Sequence, residues 1–380
     1  MAVGAMPGAG GEVAKRRGPN PALIYWQAQA LLPELTKAQE QLPTDVAGGR
    51  LAADAPMVGS LLELVRPGLE RFKRASASTA VCDWGITLEE GPFAVMPHMA
   101  RMQFMCRLAL LKAEHSFVSK KPKEALEWVL VVHRAARHLG NGEMLTTVLA
   151  EYSMESLALR ATARHLAGLD SNTRIGHRQQ LDLLPELDLV SEALRGEQSV
   201  AEWLHRMLLG IEQVPDHEAA LKALTMAAAA IGQPAGGESK EADEASASQL
   251  LESWKAHHEV IGKAFERLRV ASGLPWEKAL EEIRMIQADQ TLTMPAAQNL
   301  FSLIENHLRK RLEAVTQQRM LKAALTLGPD LAPGVLPEWK DAFFEESLIV
   351  RLESGSMVIR MRQSTGPRDV FLRLGPVKGP

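Results

Sequence analysis

Residues 82–140 read CDWGITLEEGPFAVMPHMARMQFMCRLALLKAEHSFVSKKPKEALEWVLVVHRAARHLG. This stretch joins an irregular aromatic loop to two helical segments. From His98 to Val118 the apolar positions Met102, Met105, Leu108, Ala109 and Ala113 fall on one helical face. Pro122 needs no amide donor in a first turn, so it opens a second helix that runs to His138. The few residues between them return the chain on itself, and the predicted unit is an antiparallel helical hairpin. Upstream, the loop from Ser76 to Pro97 carries Cys82, Asp83, Trp84 and Phe93 among glycines and prolines. It is too broken for a helix and apolar enough to pack down.

On the N-terminal side, residues 1–19 lack the apolar centre of a secretory signal and read as a disordered lead-in. Asn20 before Pro21 starts a helix, because the Asn side chain accepts from a first-turn amide. Gly48-Gly49 breaks the chain before a helix over Met57 to Arg74, bent at Pro67. On the other side, helices are predicted near 142–168, 177–195, 199–212 and 215–231, with Gly140, Gly168, Gly196 and Gly232 as stops. Residues 20–231 thus form a helical domain. Residues 232–248 (GQPAGGESKEADEASAS) have almost no large apolar side chain to offset ordering entropy and form a flexible linker. A second helical segment, 249–327, holds helices near 249–271, 276–288 and 294–326, the last amphipathic through Leu300, Leu303, Ile304, Leu308, Leu312 and Val315. Gly328 to Pro337 ends the helical part.

Over 338–380 the period changes from 3.6 to 2. Leu348, Val350 and Leu352 alternate with Ile349, Arg351 and Glu353, and Met357, Ile359 and Met361 alternate with Val358, Arg360 and Arg362. A two-residue turn at Ser354-Gly355 opposes Leu352 to Met357, Val350 to Ile359 and Leu348 to Met361, which puts the large apolar residues on one face. Val370 to Leu374 supplies a third strand. The expected fold is mainly α, a helical-hairpin array closed by a three-stranded antiparallel β meander whose apolar face covers helices. Arg351, Arg360, Arg362 and Arg373 share the outer face with Ile349, Val358 and Phe371. Arginines beside apolar groups suit carboxylates, phosphates or an acidic partner, whereas the plain alternative is a solubilising sheet face.

A net charge of −3 supplies no global field for phosphate backbones or anionic membranes, so no nucleic-acid partner is expected. No apolar run reaches the roughly 20 residues that span a bilayer. Cys82 and Cys106, the two cysteines, exclude a disulfide-rich scaffold; they read as two buried thiols or one bridge. His133 and His138 point to different faces, and His257 and His258 are adjacent and diverge, so no metal or other cofactor is expected. A nucleophile reading would join Cys82 or Cys106 to His98 or His115, oriented by Asp83 or Glu114. No glycine-flanked nucleophile and no phosphate loop accompanies it. Glu151 and Glu155, with Glu143 and His165, read as a solvated helix edge.

The pieces NPALIYWQAQALLPEL (20–35), CDWG (82–85), GPFAVMPHMARMQFMCRLALLKAEHSF (91–117), KPKEALEWVLVVHRAARHLG (121–140) and LLPELDLVSEALRGE (183–197) are similar to uncharacterised exported helical proteins of Planctomycetes and related bacteria. That resemblance implies a tetratricopeptide-like helical body, in which Ala113 and Ala125 occupy the small-residue positions, and a short C-terminal strand pair after an Asp-Pro-Phe turn. Asp341-Ala342-Phe343 stands there without the proline. The resemblance also implies an envelope location, periplasmic or exported if a leader precedes this sequence and otherwise cytoplasmic, and favours a Cys82–Cys106 bridge. It brings no activity or ligand. The expected function is a non-enzymatic scaffold that binds another protein through the Trp84 and Phe93 loop and through Arg351, Arg360, Arg362 and Arg373. Two alternatives stand beside it: an enzyme of unrecognised type with a pocket at Cys82 to Trp84, and a self-associating envelope component.

Overall fold

The computed structural model describes residues 19–86, 96–141, 144–187, 190–211, 259–289, 295–328, 331–353, 356–361 and 370–375. Phe93, Glu143, Arg362, His257, His258, the 232–248 linker, the helix expected at 215–231 and residues 1–18 of the lead-in lie outside them. The chain is mainly helical, with a small antiparallel sheet towards its C-terminal end. No helix among the described residues is long and apolar enough to cross a membrane.

Helix α1 (Pro21–Ala30) starts where Asn20 accepts from the Ala22 amide at 3.1 Å. The helix expected to continue to Gly48 is in fact two. Pro33 cannot donate, and Thr36 and Gln39 form a reciprocal capping box that restarts the chain as α2 (Lys37–Ala47). Helix α3 (Pro56–Ser76) carries Pro67 and, beside it, Gly68. A Cβ on Gly68 would lie 2.9 Å from the Ala28 carbonyl oxygen, so the missing side chain lets α1 lie against α3.

The predicted hairpin is present as α4 (His98–Val118) and α5 (Pro122–Gly140). Between them Lys120 adopts a positive φ of 58°, and the Lys121 and Lys120 amides bond back to the Ser116 and Phe117 carbonyls. That double closure ends α4 and delivers Pro122 to the first turn of α5. Helix α6 (Leu145–His165) packs on α5. The helices expected over 177–195 and 199–212 are replaced by α7 (Ser171–Asp182), capped by Asp170 on the Thr173 amide, and α8 (Val190–Ile211). The break falls near Pro185, and Gly196 lies inside α8 rather than ending a helix. A helix over 259–271 (α9), α10 (Trp276–Gln287) and the long α11 (Pro295–Leu327) follow.

The sheet has four antiparallel strands in sequential order, not three. The additional strand, β1 (Gly334–Lys340), contains Pro337 and lies in the stretch expected to be irregular. A proline is tolerated there because β1 is an edge, and its pairing with β2 (Ser347–Glu353) shifts register between Leu336 and Lys340. Strand β3 (Ser356–Arg360) meets β2 with Leu352 opposite Met357 and Val350 opposite Ile359, the register that the two-residue turn requires. Strand β4 (Phe371–Leu374) pairs with β3. Asp341, buried in the β1–β2 turn, accepts from the Phe343, Phe344 and Glu346 amides, which satisfies the turn without a proline.

Two cores result. One joins α1 to α5 around Tyr25, Phe72, Met102, Met105 and Leu139. The other runs from α5 to α11 and takes in Leu348, Val350, Ile359 and Leu372 from the inner sheet face, so residues on both sides of 232–248 share it. Helix α6 contributes to both: Ala150, Met154, Ala158 and Ala161 to the first, Leu145, Tyr152, Leu159 and Ala163 to the second. It also touches β4, where the Gly375 amide donates to the Ala163 carbonyl at 3.0 Å.

Candidate functional site

The loop that carries Trp84 is absorbed by the interior. Trp84 is 8 % exposed; its indole donates to the His138 carbonyl at 3.0 Å and stacks on His98 at 4.4 Å and on Tyr25 at 5.6 Å. Asn20, the cap of α1, also bonds the Asp83 backbone from both its side-chain atoms and pins the loop to the first helix. Trp84, named from sequence as a partner-binding candidate, is packed into the interior, as the apolar content of its loop suggested, and presents little surface.

The nucleophile constellation does not assemble. Cys82 and Cys106 are free, buried thiols, and burial pushes each up to about 12, with Asp83 adding to the rise at Cys82. Such thiols stay protonated and are poor nucleophiles. Burial lowers His98 to about 4, and neither of its ring nitrogens has a hydrogen-bond partner among the described residues. His115 bonds the Ala53 carbonyl, while Glu114 is held by Arg164 at 2.5 Å and His165 at 2.7 Å. His115 and Glu114 are thus engaged elsewhere, and His98 and the two thiols are packed without hydrogen bonds to one another. Among the described residues no three His, Cys, Asp or Glu side chains are placed to hold a metal ion.

A cavity of about 520 Å³ does lie behind this loop, between Val81 and Cys82, the α5 residues Arg137 and His138, and Leu183 and Glu186 beyond α7. Arg137, one of its lining residues, also belongs to a buried ionic cluster that corrects the reading of Glu151 and Glu155 as a solvated edge. Both are 0 % exposed. Arg137 donates to Glu151 at 3.0 Å, to both oxygens of Glu155 at 3.1 and 3.2 Å, and to the Pro185 carbonyl; His133 Nδ1 lies 2.8 Å from Glu155. Burial acts to raise Glu155, but His133 and Arg137 outweigh it and bring the carboxyl to about 2. Glu151, raised by burial and by the Glu155 charge against the pull of Arg137, reaches about 8. At neutral pH Glu151 is thus a neutral acid, and Arg137 with Glu155 is a balanced pair. The cluster joins α5 to α6, with Glu151 Oε2 and His133 Nε2 left buried and without a hydrogen-bond partner among the described residues.

The arginines of the sheet sort differently. The outer face carries two cross-strand rows, Arg351–Val358–Arg373 and Ile349–Arg360–Phe371, as the alternation requires. Arg360 is paired with Glu353 at 3.0 Å. Arg351 is exposed to solvent. Arg373 makes no hydrogen bond or ion pair among the described residues, and it borders a cleft of about 430 Å³ together with Phe371, Gly375, Leu157, Arg160 and Arg164. Among the described residues Arg160 bonds the Ser156 carbonyl of its own helix, at 3.1 Å, and no carboxylate. Arg164 is anchored to Glu114 and, at 2.8 Å, to the Ala47 carbonyl. Among the described residues the three guanidinium groups thus have one carboxylate partner, Glu114, which Arg164 shares with His165. Beside them Phe371 is 44 % exposed. The volume falls within the usual range for ligand sites, and paired arginines beside an aromatic ring match carboxylate-bearing ligands.

Arg160 and Arg164 were not singled out from sequence, although their spacing of four on α6 marks a basic stripe. Comparison of the chain with protein-family models, curated proteins and solved structures gives no match.

Proposed function

We propose that this protein is a non-catalytic helical scaffold that binds an acidic segment of another protein in the cleft between α6 and β4. The observation that carries the reading is the convergence of Arg160, Arg164 and Arg373 on one concave surface, where the one carboxylate that engages any of them among the described residues, Glu114, is already shared with His165. A free carboxylate supplied by a partner would take up the guanidinium donors that the fold leaves open. The reading includes a tetratricopeptide-like relation of α4, α5 and α6, supported by Ala113 and Ala125, which are 0 % exposed where these helices pack. Arg351, in the same cross-strand row as Arg373 and two strands away, extends the same positive surface.

The test is a fluorescence-anisotropy titration of the full chain with glutamate-containing peptides at two salt concentrations. Charge-assisted hydrogen bonds contribute about 1.5–3 kcal/mol each, so Arg160→Glu/Arg373→Glu should weaken binding by about tenfold or more. Binding should also fall as salt rises. If no acidic peptide binds, or if the double variant binds as well as the parent, the reading is wrong.

A further inference from the structure

Resting on that reading, we infer that the partner segment enters the cleft as an extended strand added to the free edge of β4. The two edges of the sheet differ in how they meet solvent. Edge strands that remain monomeric are normally blunted by prolines, charges or bulges. Strand β1 carries Pro337 and a register shift before Lys340, which spoil it as a template. Strand β4 is short and carries the charge of Arg373, but it has no proline and no register shift: its four residues, Phe371 to Leu374, pair with β3 in unbroken register.

The hydrogen-bond phase of β4 follows from the register. The Met361 amide donates to the Val370 carbonyl, so the pairs two and four residues along, Ile359 with Leu372 and Met357 with Leu374, are of the same kind and face each other through their backbone groups. Phe371 and Arg373 lie between them and turn their N–H and C=O groups the other way. Gly375 is next in that series, and its amide donates outward to Ala163 on α6. No backbone or side-chain hydrogen bond reaches the Phe371 or Arg373 backbone on that side among the described residues. Phe371, Arg373 and Gly375 are also the β4 residues that line the cleft, with Arg160 and Leu157 opposite. Open backbone groups, a cavity and unneutralised guanidinium groups therefore coincide.

An added strand extends the two outer-face rows by one residue each. The residue joining the Arg351–Val358–Arg373 row meets Arg373 and faces Arg160, so it is acidic. The residue joining the Ile349–Arg360–Phe371 row lies beside the exposed Phe371 ring, so it is β-branched or aromatic. The two are separated by one position, and the recognised element is an acidic and an apolar residue at i and i+2 in an extended peptide. Backbone bonds supply affinity and the two side chains supply selection, as in other strand-addition complexes.

The probe is a labelled eight-residue peptide that repeats Glu-Thr-Val-Thr. In one form the Glu and Val amides, which would face β4, are N-methylated; in the other the Thr amides are. Strand addition predicts about tenfold or greater loss for the first form and less than about threefold for the second, since each lost backbone bond contributes about 1 kcal/mol. Equal affinity of the two forms, with Arg160→Glu/Arg373→Glu still weakening both, would overturn strand addition while leaving the acidic-partner reading intact. Absence of arginine-dependent binding by the unmethylated peptide would overturn both.

Discussion

The two halves of α6 use charge in opposite ways. In its first half and middle, Glu151 and Glu155 point into the body, where Arg137 engages both and His133 engages Glu155. Near its end, Arg160 and Arg164 line an open cleft with Arg373, where one carboxylate serves two neighbours. Arg164 and His165, in the last turn, also agree with the dipole of the helix. The contrast shows how to tell a structural charge from a functional one. The first kind has partners within its own chain and no solvent; the second has solvent, a cavity and a deficit of partners.

That contrast is broken most directly at Glu155. Glu155→Ala leaves Arg137 and His133 buried without their shared carboxylate and should cost about 3–5 kcal/mol in urea unfolding. A loss below about 1 kcal/mol would mean that the cluster is not structural. The next largest effect is expected at Gly140, the last residue of α5. A Cβ there would collide with the Glu151 carboxyl, so Gly140→Ala must displace that buried group and should destabilise by about 1–3 kcal/mol, read from the same urea midpoint.

The pH profile sharpens the comparison further. Glu151 ionises near 4.5 when unfolded and near 8 when folded. Between those values the folded state keeps a proton that the unfolded state has lost, so this group makes stability fall as pH rises. Burial holds His98 and His138 near 4 and His177, also next to His133, near 3, all below the ordinary 6.5. They act in the other direction: their contribution is present above pH 6.5 and is lost as pH falls towards 4 and 3. Glu151→Gln should therefore remove the decline towards pH 8 and leave the loss below pH 6.5, as measured by urea midpoints from pH 4 to 9. A persistent decline in the variant would assign it to another group. The smallest expected effect is at the other end of α6, where Arg373→Glu should change stability by no more than about 0.5 kcal/mol, because nothing in the fold depends on that side chain. A larger loss by thermal melting would move Arg373 into the structural class.

What was legible from sequence follows from how local each signal is. The α4–α5 hairpin rests on a proline, a short connection and one apolar face, all within about forty residues, and its starts at His98 and Pro122 are those predicted. The pairing of Leu352 with Met357 follows from a turn and a period of two. Strand β1 was hidden by Gly334 and Pro337, which read as punctuation and are tolerated only because the strand is an edge. The break at Pro33 was missed because the capping box at Thr36 and Gln39 lies inside an otherwise continuous polar stretch. Glu151 and Glu155 were misread for a different reason: periodicity says that two acids share a face but not what that face meets, and Arg137 and His133 come from the preceding helix. The cleft was half legible. Alternation placed Arg373 beside Phe371, whereas its partners on α6 come from another part of the chain.

The bond from Gly375 to Ala163 has a consequence for the order in which the molecule is made. Helix α6 belongs to both cores, yet one of its terminal carbonyls is capped by a residue that leaves the ribosome long after it. Until β4 arrives, the second core also lacks Leu372 and Leu374. The nascent chain must therefore carry an unfinished seam through most of its synthesis, and final consolidation of the helical body awaits its last described strand.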